Sequence, residues 1–446
     1  VGLAAAPVAP LSSHQLLVFL LQVAVLLILA LAMGRLGMRL GMPAVVGELC
    51  AGVVLGPSLL DHLAPDLTGW LLPKQPVQYH LMDAFGQIGV LLLVGLTGIQ
   101  LDLTLVRRRG LAAAKISLFG LLVPLVLGVA CGLTLPGSLF AAGAERGVCV
   151  SFLAVAMCVS AIPVIAKTLM DMNLLHRNIG QLTLTAGMID DAVGWLMLSI
   201  VSAMATVGVS TGKVATSIGY LLLVLVAAVL LRAPIGALLR RVVARGEPAL
   251  TIGVMIAMML LAAAASHRLG LESIFGGFVC GIVIGSTGAV EASHLAPLRT
   301  IVLGFMAPVF FATAGLRMDL TALGRPSVLL AAVVVLVVAI AGKFTGAFAG
   351  ARLSRLDRWE ALALGAGMNA RGVVEVVVAM AGLRLGVLST ETYTIIVLVA
   401  IVTSLMAPPI LRLAMRRVEL TAEEDLRERA FTWHEPVRPE SPDGVA

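Results

Sequence analysis

Charge is the scarcest thing in this sequence. Asp, Glu, Lys and Arg supply 13% of its 446 residues, against about 25% in a typical soluble domain. So few charges cannot cover a chain of this length, which excludes a soluble globular enzyme and leaves lipid as the main solvent. Cysteine is nearly as sparse. The five present (Cys50, Cys131, Cys149, Cys158 and Cys280) are odd in number, lie in apolar runs and have no metal-ligand spacing. A disulfide framework and a thiolate metal centre are both excluded on that pattern. No basic stretch precedes the first apolar run, so Leu16–Met33 reads as a retained helix and not a cleaved signal. Gly365 and Gly367 lie inside an apolar run, where a dinucleotide fingerprint is not credible. The end of the chain, 418–446, is short, charged and proline-containing, and reads as a solvated amphipathic or disordered cytoplasmic tail. No nucleotide-binding regulatory domain and no cofactor are expected.

What is abundant is apolar sequence: 59% of residues are hydrophobic and the mean hydropathy is +1.04. Runs of about 20 apolar residues, enough to cross a hydrocarbon core of about 30 Å, recur from Leu16 to Leu411. Thirteen spans are expected: 15–33, 43–60, 81–101, 110–133, 147–170, 178–206, 214–231, 249–266, 270–287, 298–316, 327–350, 359–383 and 392–414. The fold class is therefore an all-α polytopic membrane protein. The net charge of +6 reads as an orientation signal and not as a nucleic-acid footprint. Eighteen basic residues fall at the ends following odd-numbered spans and seven on the opposite side. The positive-inside rule then places the N-terminus outside and the C-terminus in the cytoplasm, with a bacterial inner membrane as the expected location.

Two internal repeats are visible. Gly47, Gly52 and Gly56 of the second span recur as Gly276, Gly281 and Gly285 of the ninth. Gly98-Ile-Gln-Leu-Asp102-Leu-Thr104 closes the third span, and Gly315-Leu-Arg-Met-Asp319-Leu-Thr321 closes the tenth. Each match joins spans seven apart, an odd number, so the copies cross in opposite directions. That is the inverted-topology repeat of many secondary transporters.

Chemistry concentrates in the sixth span, where Asp190 and Asp191 are adjacent near its middle. One charge at the centre of a membrane helix costs roughly 2.5–3.5 kcal/mol on insertion scales, so two carboxyls there imply a function. Adjacent helical positions point about 100° apart. The pair therefore cannot share a proton face to face, which excludes intramembrane aspartyl protease chemistry. One carboxylate is free to bind a cation while the other pairs with a base or a backbone group. Lys343 in the eleventh span is the favoured partner, the competing reading being a side chain that snorkels to the interface. Arg371 and Glu375 lie in the twelfth. Two spans read as broken: the fifth at Ser160-Ala-Ile-Pro163, where proline removes a donor, and the twelfth at Gly365-Ala-Gly-Met-Asn369-Ala-Arg371-Gly372. Irregular backbone at that depth is tolerated where it is buried in protein or lines a cavity. These two spans are again repeat partners, which predicts two crossed discontinuous helices beside the aspartates. Interfacial placement accounts for Glu48, Asp83 and Glu272, with a water-filled entry path as the alternative reading for Glu48.

Together Gly47-Glu48-Leu-Cys-Ala-Gly-Val-Val-Leu-Gly-Pro-Ser58, Ser160-Ala-Ile-Pro-Val-Ile-Ala-Lys167, Ile189-Asp190-Asp191, Pro308-Val-Phe-Phe311 and Gly342-Lys343 form a specific set. On these stretches the chain resembles the monovalent cation:proton antiporter-2 family over residues 15–417. Met368-Asn-Ala-Arg371-Gly-Val-Val-Glu375 is most similar to its cation/hydrogen exchanger branch. The resemblance implies a thirteen-helix homodimer. It divides the chain into scaffold and dimerisation helices (14–106 and 249–320), an ion-translocating core (107–213 and 327–417) and a linker helix (214–248). It implies that Asp191 carries the cation (Na+ or K+) or the proton, that Asp190 partners Lys343, and that Arg371 is a charge at the helix crossing. It also implies that an aspartate pair with lysine belongs to electrogenic exchange. A proton-independent cation channel and a sodium-coupled organic-solute symporter of the same fold remain as alternatives. Flux discriminates them: fixed proton stoichiometry excludes the channel, and cation-stimulated solute uptake marks the symporter.

Overall fold

The chain is described in a computed structural model over residues 11–73, 76–101, 103–174, 176–207, 211–422 and 424. Helices account for almost all of it. The first group is α1 (Ser13–Arg39), α2 (Ala44–Leu55), α3 (Leu60–Leu63), α4 (Pro65–Leu71), α5 (Pro76–Ile99) and α6 (Leu103–Thr134). Then come α7 (Arg146–Cys158), α8 (Ile162–Asp171), α9 (Asn178–Val207), α10 (Thr211–Val243), α11 (Pro248–Arg268) and α12 (Ser273–Ser286). The chain closes with α13 (Ala292–Ile301), α14 (Ala307–Leu316), α15 (Pro326–Leu353), α16 (Arg358–Met368), α17 (Val373–Arg384) and α18 (Thr390–Met415).

Local signals explain where these helices start. Ser12 and Gln15 form a capping box at α1, and Asp357 and Glu360 do the same at α16. Each pair satisfies backbone donors that the first turn leaves orphaned. Ser389 caps α18 by accepting from the Thr392 N–H. Proline opens α8, α11, α14 and α15, where its missing donor costs nothing.

Every expected span is helical, but the count of thirteen is not reached by length and composition. Ten helices among the described residues are long and apolar enough to cross a membrane, or eleven if α16 and α17 count as one bent span. The shortfall arises because α7 and α12 have only 13 and 14 residues. Three further differences concern boundaries. Helix α10 runs through Pro234 to Val243 instead of stopping near 231. The two short helices α3 and α4 fill the stretch before α5. A π-helical turn at 302–306 joins α13 to α14.

The repeat is legible in how the helices touch. A β-carbon on Gly52 of α2 would meet the Ala312 carbonyl of α14, and one on Gly315 would meet the Leu49 carbonyl. The same reciprocal approach joins α12 to α5: a β-carbon on Gly281 would meet the Gly95 carbonyl, and one on Gly98 the Phe278 carbonyl. Gly52 and Gly281, Gly315 and Gly98, Leu49 and Phe278, and Ala312 and Gly95 are equivalent positions of the two copies. Glycine is required at these points because the backbones nearly touch, the packing that small residues permit in membranes. Asp102, in the other repeat stretch, lies outside the described residues.

A second set of helices, α6, α7, α9 and α15–α18, packs around α6 and α15. Gly350 of α15 admits α6 closely, since its β-carbon would lie 2.7 Å from both Ile116 Cα and the Lys115 carbonyl. Residues 419–422 of the segment after α18 are exposed, but the segment is also tied to the bundle. Glu424 is buried and accepts from the Asn178 N–H at 2.6 Å. Arg177 donates to the Val418 and Glu419 carbonyls at 3.1 and 2.9 Å. The chain leaving α18 is thereby tied to the start of α9; residues 425–446 are outside the described residues.

The close glycine contacts set an expectation. Gly281→Val should lower the stability of the detergent-solubilised protein by about 1–3 kcal/mol, the usual cost of overpacking. Gly253→Val, whose β-carbon meets nothing within 4 Å, should leave it unchanged. Thermal unfolding of the two variants makes the comparison, and equal effects would contradict the assigned packing.

Candidate functional site

The site is built where two helices break and cross. Helix α7 ends at Cys158, residues 159–161 are extended, and α8 begins at Ile162. Its counterpart ends at Met368 and resumes at Val373, bent by 41°. The breaks are joined directly: Ala161 N–H donates to the Ala370 carbonyl at 3.2 Å. Gly372 is needed here because a β-carbon would lie 2.7 Å from Val164 Cγ2.

Helix α9 seats this crossing with small residues. A β-carbon on Gly194 would come 2.7 Å from Val159 Cγ1, and one on Gly187 would come 3.1 Å from Ile165 Cδ1. The two glycines are seven residues apart, two turns on one face, and bracket Asp190 and Asp191. The backbone break therefore lies directly over the aspartates.

In an unbroken helix the Ile162 N–H would donate to the Cys158 carbonyl. Here both groups are released and each finds a charged side chain. Ile162 N–H points to Asp191 Oδ1 at 3.5 Å, and the Cys158 carbonyl accepts from Lys343 Nζ at 2.6 Å. The signs match the ends of the half-helices, since a helix N-terminus favours an anion and a C-terminus a cation.

The two aspartates, both fully buried, are treated differently. Asp190 is saturated. Its Oδ2 pairs with Lys343 Nζ, both side chains having no exposure. Ser117 of α6 donates to Oδ1 at 2.5 Å. Ser160 Oγ lies 3.0 Å from Oδ2 and 2.8 Å from the Met368 carbonyl, its single proton serving one or the other. Among the described residues Asp191 has only the long Ile162 contact, and its second oxygen receives no hydrogen bond. One carboxylate of the pair is thus committed to the protein and the other is available.

Of the residues singled out from sequence, Asp190, Asp191, Lys343 and Ser160 come together. Pro163 falls in the first turn of α8, although its side chain is outside the described ones. Asn369 sits at the second break with Oδ1 unpartnered among the described residues. Arg371 and Glu375 form their own buried pair, Nη1 to Oε1 at 3.3 Å. Arg371 Nη2 also donates to the Ala339 carbonyl at 2.9 Å, one turn before Lys343 on α15, and Ser404 of α18 donates to the Arg371 carbonyl. Sequence reasoning missed Ser117 and Ser404, single hydroxyls in apolar runs. It also missed the Cys158 and Ile162 backbone groups, which carry no residue-type signal.

A cavity of about 460 Å³ lies between α9 with the breaks and the α2–α5–α14 group. Ile162, Met188 and Val373 line it beside the aspartates, while Gln100, Met170 and Arg299 line it toward one end of the bundle. Beyond Asp191 in the other direction, Trp195 of α9 is buried against Phe278 of α12, ring centroids 5.9 Å apart.

Removing one member of a buried ion pair strands the other at about 3–5 kcal/mol. Lys343→Met should therefore destabilise the protein by about that amount, and adding Asp190→Asn should recover most of it. Thermal unfolding in detergent measures both; a double variant as unstable as the single one would contradict the pairing.

Comparison with known proteins agrees with this architecture. The family described as sodium/hydrogen exchanger, transmembrane, matches residues 23–417. The Na(+)/H(+) antiporter NhaS4 of Synechocystis sp. is 30% identical over 404 residues, 90% of this chain and 98% of that protein. Cation/H(+) antiporter 20 of Arabidopsis thaliana is 30% identical over 82% of this chain, which spans 45% of that longer relative. The sodium proton antiporter MjNhaP1 of Methanocaldococcus jannaschii superimposes with a TM-score of 0.67 at 15% identity, over 90% of this chain and 99% of that one. With these matches and an all-helical fold built on an internal repeat, the chain belongs to the transmembrane sodium/hydrogen exchanger family.

Proposed function

We propose that this chain is a secondary antiporter that exchanges a monovalent cation, Na+ or K+, for H+ by alternating access, with Asp191 as the exchanging group. One observation carries the reading: Asp190 is consumed by Lys343, Ser117 and Ser160, while Asp191 keeps a carboxylate oxygen free of donors among the described residues. A carboxylate buried in a low-dielectric site needs neutralising, and a proton or a metal ion can each do so. Both cannot occupy it at once, so loading one releases the other. Lys343 holds the second charge fixed, and the N-terminus of α8 supplies a favourable field at Asp191.

Two bodies would move against each other in this mechanism: a core of 107–213 with 327–417, and a dimerising scaffold of 14–106 with 249–320 joined by 214–248. The basic-residue asymmetry supports an N-terminus outside the plasma membrane and a C-terminus in the cytoplasm. On that orientation the 460 Å³ cavity opens inward and the Trp195–Phe278 contact closes the outer side. The outward-open state then requires that contact to part. Cation identity is a matter of flux, since sodium and potassium accept the same oxygen ligands.

Purified protein in proteoliposomes should acidify or alkalinise the lumen when a sodium or potassium gradient is imposed. Asp191→Asn should reduce that signal to the level of empty vesicles. Normal cation-driven proton movement in Asp191→Asn would overturn the proposal, as would cation current with no coupled proton flux.

A further inference from the structure

Glu48 has no part in the crossing. It sits on α2, is 8% exposed, and forms no ion pair or hydrogen bond among the described residues. Its side chain lines the 460 Å³ cavity whose inner end is formed by Ile162 and Met188. Ile162 is the residue whose N–H faces Asp191, and Met188 lies on α9 one turn before Asp191. Helix α1 makes room for the carboxyl group: a β-carbon on Gly34 would stand 3.4 Å from Glu48 Cγ and 3.5 Å from Oε1.

Only one other ionisable side chain among the described residues lines this cavity: Arg299, exposed in the last turn of α13. The two are not within ion-pair distance. An ionised carboxyl group held in a largely apolar wall without a protein cation is costly. A mobile ion is then the partner left to it. Neutral oxygen donors share the cavity, namely the side chains of Thr97 and Gln100. Carboxylate, hydroxyl and amide oxygens suit hard cations and not soft ones.

We propose that Glu48 is the carboxylate of an access subsite that holds the transported monovalent cation between bulk water and Asp191. This rests on the antiport reading above and adds a second station to it. The station stands on α2, a helix of the proposed scaffold, whereas Asp191 stands on a helix of the proposed core. The subsite would therefore load the exchange site only while the cavity is open. A single-sign charge in a low-dielectric cleft raises the local counter-ion concentration by about 10-fold or more. Arg299 at the mouth opposes that effect and sets how strongly cations are drawn in.

Proteoliposome exchange tests the subsite through the concentration dependence of transport. Glu48→Gln should raise the KM for sodium or potassium by about tenfold, the loss of local enrichment, with the maximal rate unchanged. Glu48→Asp should restore the parental KM, and Arg299→Gln should lower it. An unchanged KM in Glu48→Gln, or a fall in maximal rate alone, would overturn the subsite and leave Glu48 a packing residue beside Gly34. A second readout does not need transport. In the Asp191→Asn background, sodium or potassium chloride, but not choline chloride, should protect Glu48 from a hydrophobic carbodiimide, read by peptide mass. Protection indifferent to the cation would overturn the subsite too. Failure of the antiport reading would look different, as normal exchange in Asp191→Asn or none in the parent protein.

Discussion

One interrupted hydrogen bond organises this protein. Where α7 gives way to α8, the N–H of Ile162 and the carbonyl of Cys158 are separated, and in the middle of a bilayer neither can turn to water. Asp191 faces the first and Lys343 takes the second. The break is tolerable because charged side chains complete it, and the charges are tolerable because half-helix ends receive them. Lys343 spans the arrangement by pairing with Asp190 as well. The backbone defect and the ionisable groups are therefore one structural unit, and removing either would leave the other uncompensated.

Rigidity around that unit comes from glycine. At Gly52, Gly98, Gly281 and Gly315 the backbones of neighbouring helices approach until a methyl group would not fit. Such contacts hold α2, α5, α12 and α14 as one block. On the other side Gly346 and Gly350 hold α15 against α6, which fixes Lys343 and Ser117 relative to each other. The seam between the two sets is different in kind. It contains a cavity of about 460 Å³ at one end and, beyond the tilted contact of Trp195 on Phe278, another of about 450 Å³ at the other. A seam of that kind can reopen on its other side without breaking the glycine-packed blocks.

Much of the architecture was legible in the residues. Long apolar runs gave the helices because period and length both survive translation into lipid. The inverted repeat was visible because backbone contact tolerates only glycine, so equivalent positions in both copies kept it. Ser160-Ala-Ile-Pro163 and the stretch from Gly365 to Gly372 marked the two breaks through missing donors and helix-poor residues. Boundaries were less legible: the seventh span was expected to end at 231, yet α10 continues through Pro234 to Val243. Helices α3 and α4 escaped notice because they are too short to show a period. Within the site, the adjacency of Asp190 and Asp191 was plain, but their division of labour depends on Ser117, on a carbonyl and on an amide. Nothing in a residue name announces those. Glu48 read as interfacial, with an entry path as the alternative, because sequence depth alone does not distinguish a headgroup from a cavity wall.

The central claim is the inequality of the two neighbouring aspartates, and locating a bound ion tests it most directly. An experimental structure determined in thallium, a heavy monovalent cation detectable by anomalous scattering, should place the ion on Asp191 with Lys343 still paired to Asp190. Ion density on Asp190 with Lys343 displaced would contradict the account.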